Sequence, residues 1–455
     1  AYEMSASLVG SEMCIRDMNF FPSFSLGWNV ARENFWKPLE SVVNQFKLRG
    51  SWGELGNQNT SNLYPFYEIL PVKSNSGNWL VNGGKTNTAD IPSLVSTLLT
   101  WERVRSFNVG FDFGAFSNRL TGSFDYFVRK TVDMVGPAPQ LPLVLGIAPA
   151  IVNNADMKSY GFEIELSWRD RIGEVDYGVK FNLADAQQKV VKYPNTTNAF
   201  SDWYAGKMSG EIWGYTSLGI AKTDEEMKEH LASLPNGGQN QLGNKWGAGD
   251  IMYADINGDG KVDGGKGTLA DPGDQRIIGN STPRYNFGLV LDASYKGFDV
   301  SIFFQGVGKR DYAPIVGTNG AVFWGAVNNI WQSMAMEEHF DYFRPEGHPM
   351  GANLNGYYPR PDFTSNKNHQ VQTRYLQDAS YIRLKNLQIG YTLPKQWINK
   401  LHINRCRVYV SGDNLWTGTS LASMFDPETL AAGDWGSGKT YPLSKVISFG
   451  LNVNF

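Results

Sequence analysis

The sequence predicts an all-β protein in which antiparallel strands form part of a transmembrane β-barrel. Three observations predict this class. Apolar and polar residues alternate with a period of two, the alternating segments are long, and the connections between them are short and long in turn. The 49 glycines and 21 prolines also favour strands and turns over a helical bundle.

Composition narrows the class further. The 455 residues are 42% hydrophobic and 19% charged with a net charge of −3, so neither extensive disorder nor nucleic-acid binding is expected. With only Cys14 and Cys406, a disulfide framework and a thiolate zinc site are excluded. No run of 18 apolar residues is present, which argues against transmembrane helices but not against transmembrane strands.

The first 18 residues differ from the rest of the chain. Residues 5–17 follow no usable periodicity and resemble translated sequencing-adaptor sequence. We therefore expect residues 1–18 to be a non-native or disordered leader, with an authentic linker or strand end as the alternative. Because Ala1 replaces an initiating methionine and no secretory signal is visible, the chain is interpreted as a fragment whose structured part spans residues 19–455.

The alternation is clearest at the C-terminus. Ile447, Phe449 and Leu451 are apolar, whereas Ser448 and Asn452 between them are polar. The same period of two marks ten more segments. The eleven predicted strands span residues 19–30, 45–55, 103–113, 119–131, 158–168, 175–186, 284–295, 298–306, 381–393, 405–415 and 445–455.

Strand length separates a membrane barrel from a soluble sheet. Strands of soluble domains average about 5 to 6 residues, whereas the predicted strands are about twice as long. Ten residues tilted by about 45° span roughly 23 Å, close to the ~25 Å apolar band of an outer-membrane barrel. Charged residues occupy the second face, as a hydrated interior allows. These are Glu163, Glu165, Asp176, Lys180, Asp292 and Asp299.

The lengths of the connections predict which end of the barrel faces outwards. The short ones are residues 114–118, 169–174, 296–297 and 394–404, and the long ones are 56–102, 132–157, 187–283, 307–380 and 416–444. If Phe455 lies at the periplasmic end, every long loop is extracellular. In the longest loop, Thr223 as N-cap and Glu226 three residues later predict a helix over 224–234.

Several motifs carry a family resemblance that covers residues 19–455. The chain resembles the C-terminal barrel portion of SusC/RagA-like TonB-dependent transporters of the Bacteroidetes outer membrane. The similar segments, in the family's order, are FKLRGSWGELGNQN (46–59), FDYFVRKTVDMV (124–135), KSYGFEIELSW (158–168), DINGDGKVD (255–263), DQRIIGNSTPRYNFGL (274–289), SYIRLKNLQIGYTLP (380–394), RVYVSGDNLWT (407–417) and FDPE (425–428).

The resemblance implies a 22-stranded barrel around an N-terminal plug, of which eleven strands are about half. It further implies a place in the outer-membrane lipid bilayer and uptake of oligosaccharides or peptides. The implied partners are a SusD-like surface lipoprotein and the TonB complex, which acts through a plug that the sequence lacks. Two alternatives remain open, a passive porin or adhesin-like barrel and a soluble carbohydrate-binding β-sandwich.

Two nucleotide- or metal-binding patterns need separate consideration. Residues 433–440 match the P-loop pattern, but no apolar strand precedes them and Pro442 opposes a following helix, so nucleotide binding is rejected. The second pattern has the spacing of a calcium loop, with oxygen ligands from Asp255, Asn257, Asp259, Lys261 and Asp263. Lys266 replaces the usual bidentate glutamate unless Asp271 or Asp274 substitutes for it. Calcium is thus one interpretation, and a turn closed by its own hydrogen bonds is the other.

Aromatic side chains are the candidate ligand contacts, because their flat faces can stack on sugars or line a peptide path. The candidates are Trp203, Tyr204, Trp213, Tyr215, Trp324, Trp331, Tyr357, Tyr358 and Trp435, and Trp246 lies in the same loops. Packing of the loops against one another is the alternative role. The five histidines show no metal-binding spacing, and no catalytic set is recognisable, so an enzyme is not expected.

Overall fold

The computed structural model describes residues 2–11, 19–57, 68–92, 94–96, 99–136, 144, 150–314, 321–325, 336–362, 366–398, 403–430 and 440–455. One antiparallel sheet dominates this part of the chain, and its twelve strands pair in chain order. The strands are β1 (Tyr2–Ser11), β2 (Asn19–Asn29), β3 (Val43–Asn57), β4 (Glu102–Ala115), β5 (Leu120–Gly136), β6 (Val152–Ile172), β7 (Val175–Lys192), β8 (Arg284–Tyr295), β9 (Phe298–Lys309), β10 (Tyr381–Thr392), β11 (Arg405–Thr419) and β12 (Val446–Asn454).

The predicted strand positions are confirmed. The eleven predicted segments correspond, in order, to strands β2 to β12. Among these the longest strand, β6, has 21 residues and the shortest, β12, has 9. Strands of this length exceed those of ordinary soluble domains and have the dimensions expected of a barrel wall.

The first strand lies in the segment for which the sequence predicts a leader. Residues Tyr2–Ser11 pair antiparallel with Asn19–Asn29, from Tyr2 opposite Trp28 to Ser11 opposite Asn19. An exposed sheet edge offers backbone groups that accept a partner with little regard to side-chain pattern. Because this pairing does not test the origin of residues 1–18, the leader interpretation stays a prediction.

The sheet is open at both sides. Within the described residues, β1 pairs with β2 alone and β12 pairs with β11 alone. The long strands therefore form a single wall with two edges, rather than the two packed sheets of a β-sandwich. Closure into a complete barrel stays a prediction.

The connections alternate as predicted. Between β2 and β12 the shorter connections, such as Gly173 with Glu174 and Lys296 with Gly297, lie at the end of the sheet where the C-terminal strand finishes. Arg405 opposite Asn454 marks this end. The long connections all lie at the opposite end, so the sheet has a short-turn end and a long-loop end.

The connections contain small elements of secondary structure. The helix α1 (Asp224–Ala232) confirms the predicted helix, and its Glu226 backbone N–H donates to Thr223 Oγ1 at 3.1 Å. Helices α2 (Ala321–Trp324) and α3 (Lys395–Ile398) are single turns. The 3₁₀ segments are Val30–Arg32, Asn34–Leu39, Glu337–Phe340 and Thr373–Tyr375. No helix in the described ranges is both long and apolar enough to cross a membrane.

Short strands pair inside the long loops. The pairs are Val72–Lys73 with Thr88–Ala89, Leu80–Val81 with Gly84–Lys85, Glu211–Gly214 with Arg276–Asn280, Ser217–Ile220 with Ile251–Tyr253, and Asp311–Tyr312 with Gln377–Asp378.

The register gives the sheet one apolar and one polar face. Phe111 lies opposite Leu48 on β3 and Phe124 on β5, and the Phe111 and Phe124 ring centroids are 5.6 Å apart. Because successive side chains of a strand point to opposite faces, the intervening residues form the polar face. On the apolar face Phe449 is 85% exposed and Leu451 is 65% exposed. Extended exposed apolar surfaces mark sites of protein or membrane contact.

Candidate functional site

The polar face of the sheet is the first part of the candidate site. Arg49 Nη2 contacts Asp112 Oδ1 at 2.9 Å and Asp125 Oδ2 at 2.8 Å, which joins three neighbouring strands. Farther along the wall, Arg407 contacts Asp299 in the same way. These charge pairs neutralise one another across strands, so the face is polar without a strong net charge.

Glycines open shallow hollows on this face. A hollow of about 280 Å³ borders Gly27, Arg49, Gly110 and Asp125. A Cβ atom on Gly110 would lie 2.3 Å from Asp125 Oδ1, so only glycine lets the carboxylate lie across the strand. A wider hollow of about 610 Å³ lies near Lys180 and extends along the wall. Of these two hollows, the wider one reaches the roughly 300 to 1,000 Å³ of a typical small-molecule pocket.

The long loops form the second part of the site, which we call the outer cap. It comprises the described residues of 193–283, 310–380 and 420–445. Its core is aromatic and aliphatic, and more than a dozen side chains in it are almost fully buried. They include Tyr215, Leu234, Ile251, Tyr253, Val262, Phe323, Trp324, Tyr358, Tyr375, Leu421, Phe425 and Leu430. The cap is thus a packed unit built from three separate loops.

The predicted ligand-contact aromatics have different environments in the cap. Tyr215, Trp324 and Tyr358 are at most 4% exposed and contact protein neighbours. Tyr357 contacts Tyr358 with ring centroids 5.0 Å apart, so it too helps to pack the core.

The remaining candidates lie at the margin of the cap or outside the described residues. Trp213 stacks on Phe200 at 4.6 Å, and the Tyr204 hydroxyl donates to Glu211 Oε2 at 2.5 Å. Trp203 is 41% exposed. Trp246 packs against Tyr253 at 6.4 Å. Trp331, Trp435 and residues 433–439 of the P-loop pattern lie outside the described residues.

A buried ionic cluster joins two of the cap loops. The Asp250 carboxylate is fully buried, and it accepts hydrogen bonds from Arg360 at 2.6 and 2.7 Å and from Lys367 Nζ at 2.9 Å. Asn368 Nδ2 donates to the same carboxylate at 2.9 Å. Sequence reasoning missed this cluster because its members lie more than 100 positions apart. Only an observed pairing of the two loops could have revealed it.

A second buried ion pair fastens the cap to the sheet. Arg383 on β10 is only 3% exposed, and its guanidinium contacts Asp426 Oδ1 at 2.6 Å and Glu428 Oε2 at 2.7 Å. Arg383 Nε also donates to Thr417 Oγ1 at 2.8 Å. Burial alone would raise the pKa of Asp426, but hydrogen bonds from Arg383 and from backbone amides together outweigh burial and hold this pKa below its usual value. Two sequence motifs, SYIRLKNLQIGYTLP and FDPE, therefore meet in space.

The candidate calcium loop is closed by its own hydrogen bonds. The Asp255 carboxylate accepts from the backbone N–H groups of Gly258 at 2.6 Å and Gly260 at 2.8 Å. Lys261 Nζ donates to Asp263 Oδ2 at 2.5 Å, which holds the pKa of Asp263 below its usual value. No group of three or more His, Cys, Asp or Glu side chains that could hold a metal ion occurs among the described residues. The calcium assignment stays a prediction, and these bonds favour the self-closed turn.

Buried Asp274 completes this turn. Its Oδ1 atom accepts from Ile256 N at 2.7 Å, and its Oδ2 atom accepts from Asp263 N at 2.8 Å. Asp274 therefore links Ile256 and Asp263, near the two ends of the loop, through their backbone amides.

No heat of calcium binding to the loop of residues 255–263 is expected. The physical reason is that the loop oxygens already accept backbone hydrogen bonds, which a metal ion would have to displace. The measurement is calorimetric titration of the full-length protein with calcium after treatment with a chelator. A binding heat that disappears in D255N would instead support the calcium interpretation.

A buried histidine lies in the core of the cap. His369 is 1% exposed, its ring centroid is 4.5 Å from that of Trp324, and neither ring nitrogen has a hydrogen-bond partner among the described residues. Burial lowers the pKa of His369 from 6.5 to about 4. The imidazole is therefore neutral in the folded cap at pH 7.

Acidification is expected to destabilise the cap through His369. Because its pKa is lowered in the folded state, the contribution of His369 to stability is complete above pH 6.5 and falls as the pH drops towards 4. The expected loss is about 3 kcal/mol. This loss of stability is measured by hydrogen exchange of peptides around Trp324 and His369 as a function of pH, corrected for intrinsic exchange rates.

The matched variants are H369Q and H348Q. His348 lies nearer the surface, where its Nδ1 atom accepts from Met350 N at 3.2 Å. We expect H369Q to flatten the pH dependence and H348Q to preserve it. An unchanged profile in H369Q contradicts the assignment to His369.

The sequence is similar to a protein family and to several known proteins. Residues 14–415 match the family model described as TonB dependent receptor-like, beta-barrel. The chain is 29% identical over 466 residues to TonB-dependent receptor P3 of Formosa agariphila, covering 96% of this chain and 42% of that protein. It is 22% identical over 451 residues to TonB-dependent receptor SusC of Bacteroides thetaiotaomicron, covering 96% of this chain and 40% of that protein.

Solved structures share the fold. A structure of the RagAB peptide transporter matches 96% of this chain and 44% of that chain, with a TM-score of 0.70 and 22% identity. The RagAB peptide importer in its open-open state matches 100% of this chain and 45% of that chain, with a TM-score of 0.73 and 21% identity. The chain thus spans less than half the length of these proteins.

Proposed function

Because the chain belongs to the TonB dependent receptor-like β-barrel family, we propose that it forms part of the wall and the outer loops of a SusC-like outer-membrane transporter. The main support for this proposal is the sheet itself, a single wall of long strands with one apolar and one polar face. Lipid would cover the apolar face, and the polar face would line the lumen of a barrel of about 22 strands. The long-loop end then faces the outside of the cell.

The proposed cargo is an oligosaccharide or a peptide. Support comes from the polar face, where charge pairs and glycine hollows offer hydrogen-bonding groups without a strong net charge. Peptides and sugars are recognised by such groups together with aromatic surfaces. Among the described candidate aromatics, Trp203 is the one most open to a ligand, since 41% of its surface is exposed.

The proposed partners act at the two ends of the wall. A SusD-like lipoprotein would contact the outer cap, whose packed core gives a partner a defined surface. The TonB complex would act from the short-turn end through an N-terminal plug within the barrel. The proposed activity is uptake of the cargo across the outer membrane, driven by the TonB complex. No residue is assigned a catalytic step.

Uptake by living cells tests the proposal. The full-length gene is deleted, and entry of labelled peptides and labelled oligosaccharides is measured in cells with and without an active TonB complex. Loss of uptake of one cargo class in both the deletion and the TonB-deficient strain supports the proposal. Uptake that persists without TonB supports the passive porin instead.

A further inference from the structure

A row of four cations crosses the apolar face of the sheet at its long-loop border. Arg105 lies opposite Lys130, Lys130 lies opposite Lys158, and Lys158 lies opposite Lys189. Directly paired residues of antiparallel strands point to the same face. The four side chains, here called the basic row, therefore project together from β4, β5, β6 and β7.

The basic row directly adjoins the apolar surface. Two positions towards the short-turn end, the same face carries Phe107, Val128 and Tyr160. Phe107 is 47% exposed, and Lys158 Nζ lies 5.1 Å from the centroid of the Tyr160 ring. In a barrel an aromatic girdle marks the interface between hydrocarbon and headgroups. The basic row lies one step beyond this girdle, at headgroup level.

The three lysines of the row have no acidic partner among the described residues. The neighbouring carboxylates contact arginines instead, and one of these arginines is Arg105, the fourth member of the row. Glu54 contacts Arg105 at 3.1 Å, and Asp133 contacts Arg103 at 2.5 Å. Asp185, which lies on the same face, binds Arg284.

Like charges placed directly opposite each other destabilise a sheet, and here three successive strand pairs carry them. Neighbouring strands are about 4.8 Å apart, so the row spans roughly 14 Å. A bound anion with several negative charges would relieve the repulsion between these cations more effectively than water does.

We propose that the basic row binds the phosphate groups of the glycolipid that forms the outer leaflet of the membrane. The inference rests on the proposed function, because it requires the apolar face to meet lipid and the long-loop end to face outwards. A phosphate group carries up to about two negative charges and three acceptor oxygens, so one phosphate can bridge neighbouring ammonium groups. The row would fix the height and rotation of the wall in the membrane and would order the lipid beside it.

The test compares two triple variants of the full-length protein. K130Q/K158Q/K189Q removes the three cations of the row that have no acidic partner among the described residues. K222Q/K228Q/K266Q removes the same charge from exposed lysines of the outer cap. Each protein is extracted in mild detergent, and retained glycolipid is counted by native mass spectrometry. Affinity for purified lipopolysaccharide, for its dephosphorylated form and for inorganic phosphate is also measured.

We expect the row variant to bind lipopolysaccharide on the order of 100-fold more weakly, since each lysine near an anionic lipid surface contributes about five-fold. The cap variant and the unaltered protein should bind alike, and both should lose affinity for the dephosphorylated lipid. Equal retention by the row variant overturns the proposal. The proposal is also overturned if the unaltered protein binds the dephosphorylated lipid equally well, or if inorganic phosphate at matched concentration displaces the lipopolysaccharide. Retention of an acidic protein in place of the lipid would overturn it too.

The two proposals fail in distinguishable ways. If the full-length protein gives no heat-modifiable barrel from the outer membrane, the proposed function fails. If the barrel and its TonB-dependent uptake are intact but lipid binding is unchanged in the row variant, only the basic-row inference fails.

Discussion

Replacement of Arg383 by glutamine is expected to detach the FDPE segment from the sheet. The change leaves Asp426, whose side chain is 7% exposed, as a buried carboxylate without its cation. Breaking one side of a buried ion pair costs about 3 to 5 kcal/mol. The measurement is hydrogen exchange of residues 420–430 in the full-length protein, where we expect protection to fall while protection of the strands is preserved.

Two further variants distinguish the effect of breaking the buried ion pair from the effect of removing a positive charge anywhere on the protein. R119Q removes an ion pair with Asp170 whose arginine is 50% exposed, and such pairs contribute at most about 1 kcal/mol. The triple variant R383M/D426N/E428Q removes Arg383 and both of its carboxylates and leaves Lys385, a partner of Glu428 whose side chain is 25% exposed. We expect this variant to recover much of the lost protection. Equal protection in R383Q and the unaltered protein would show that Arg383 does not hold the loop.

A polypeptide limited to residues 19–455 is expected neither to insert into a bilayer nor to transport cargo. The described sheet has open edges, and hydrocarbon offers no partners for the backbone N–H and C=O groups of an edge strand. Each unsatisfied group costs several kcal/mol, so one edge alone exceeds the roughly 5 to 15 kcal/mol stability of a typical protein.

Electrophoresis with and without heating checks this expectation. The full-length protein should show the shifted mobility of a folded barrel before heating, whereas residues 19–455 should migrate as an unfolded chain in both samples. A heat-modifiable species formed by residues 19–455 alone, in detergent or in vesicles, would falsify the expectation.

The strands could be predicted because their cause is local. In β12, Ile447, Phe449 and Leu451 alternate with polar residues, and this period of two defines both a strand and its two faces. The same reasoning located α1, whose Thr223 cap lies within a few residues of the helix it starts. The strand Tyr2–Ser11 was missed because its pairing depends on the neighbouring edge rather than on its own pattern.

The roles of the aromatic residues could not be predicted in the same way. Trp203 and Trp324 both lie in long loops, yet Trp203 is 41% exposed and Trp324 only 1%. Nothing local distinguishes them, because burial depends on which loops meet. The contacts of Trp324 with His369 and Tyr375 come from a segment about 45 to 50 positions away.

The sequence by itself thus determined the period, length and order of the strands, because each of these depends on neighbouring residues of one chain segment. Tertiary structure alone decided which distant charges meet, as in the contacts of Arg383 with Asp426 and of Asp250 with Lys367. It also decided that Lys130, Lys158 and Lys189 form one row, since this requires the strand register. The physical reason is that charge interactions depend on distance in space, which the register and the packing of the loops set.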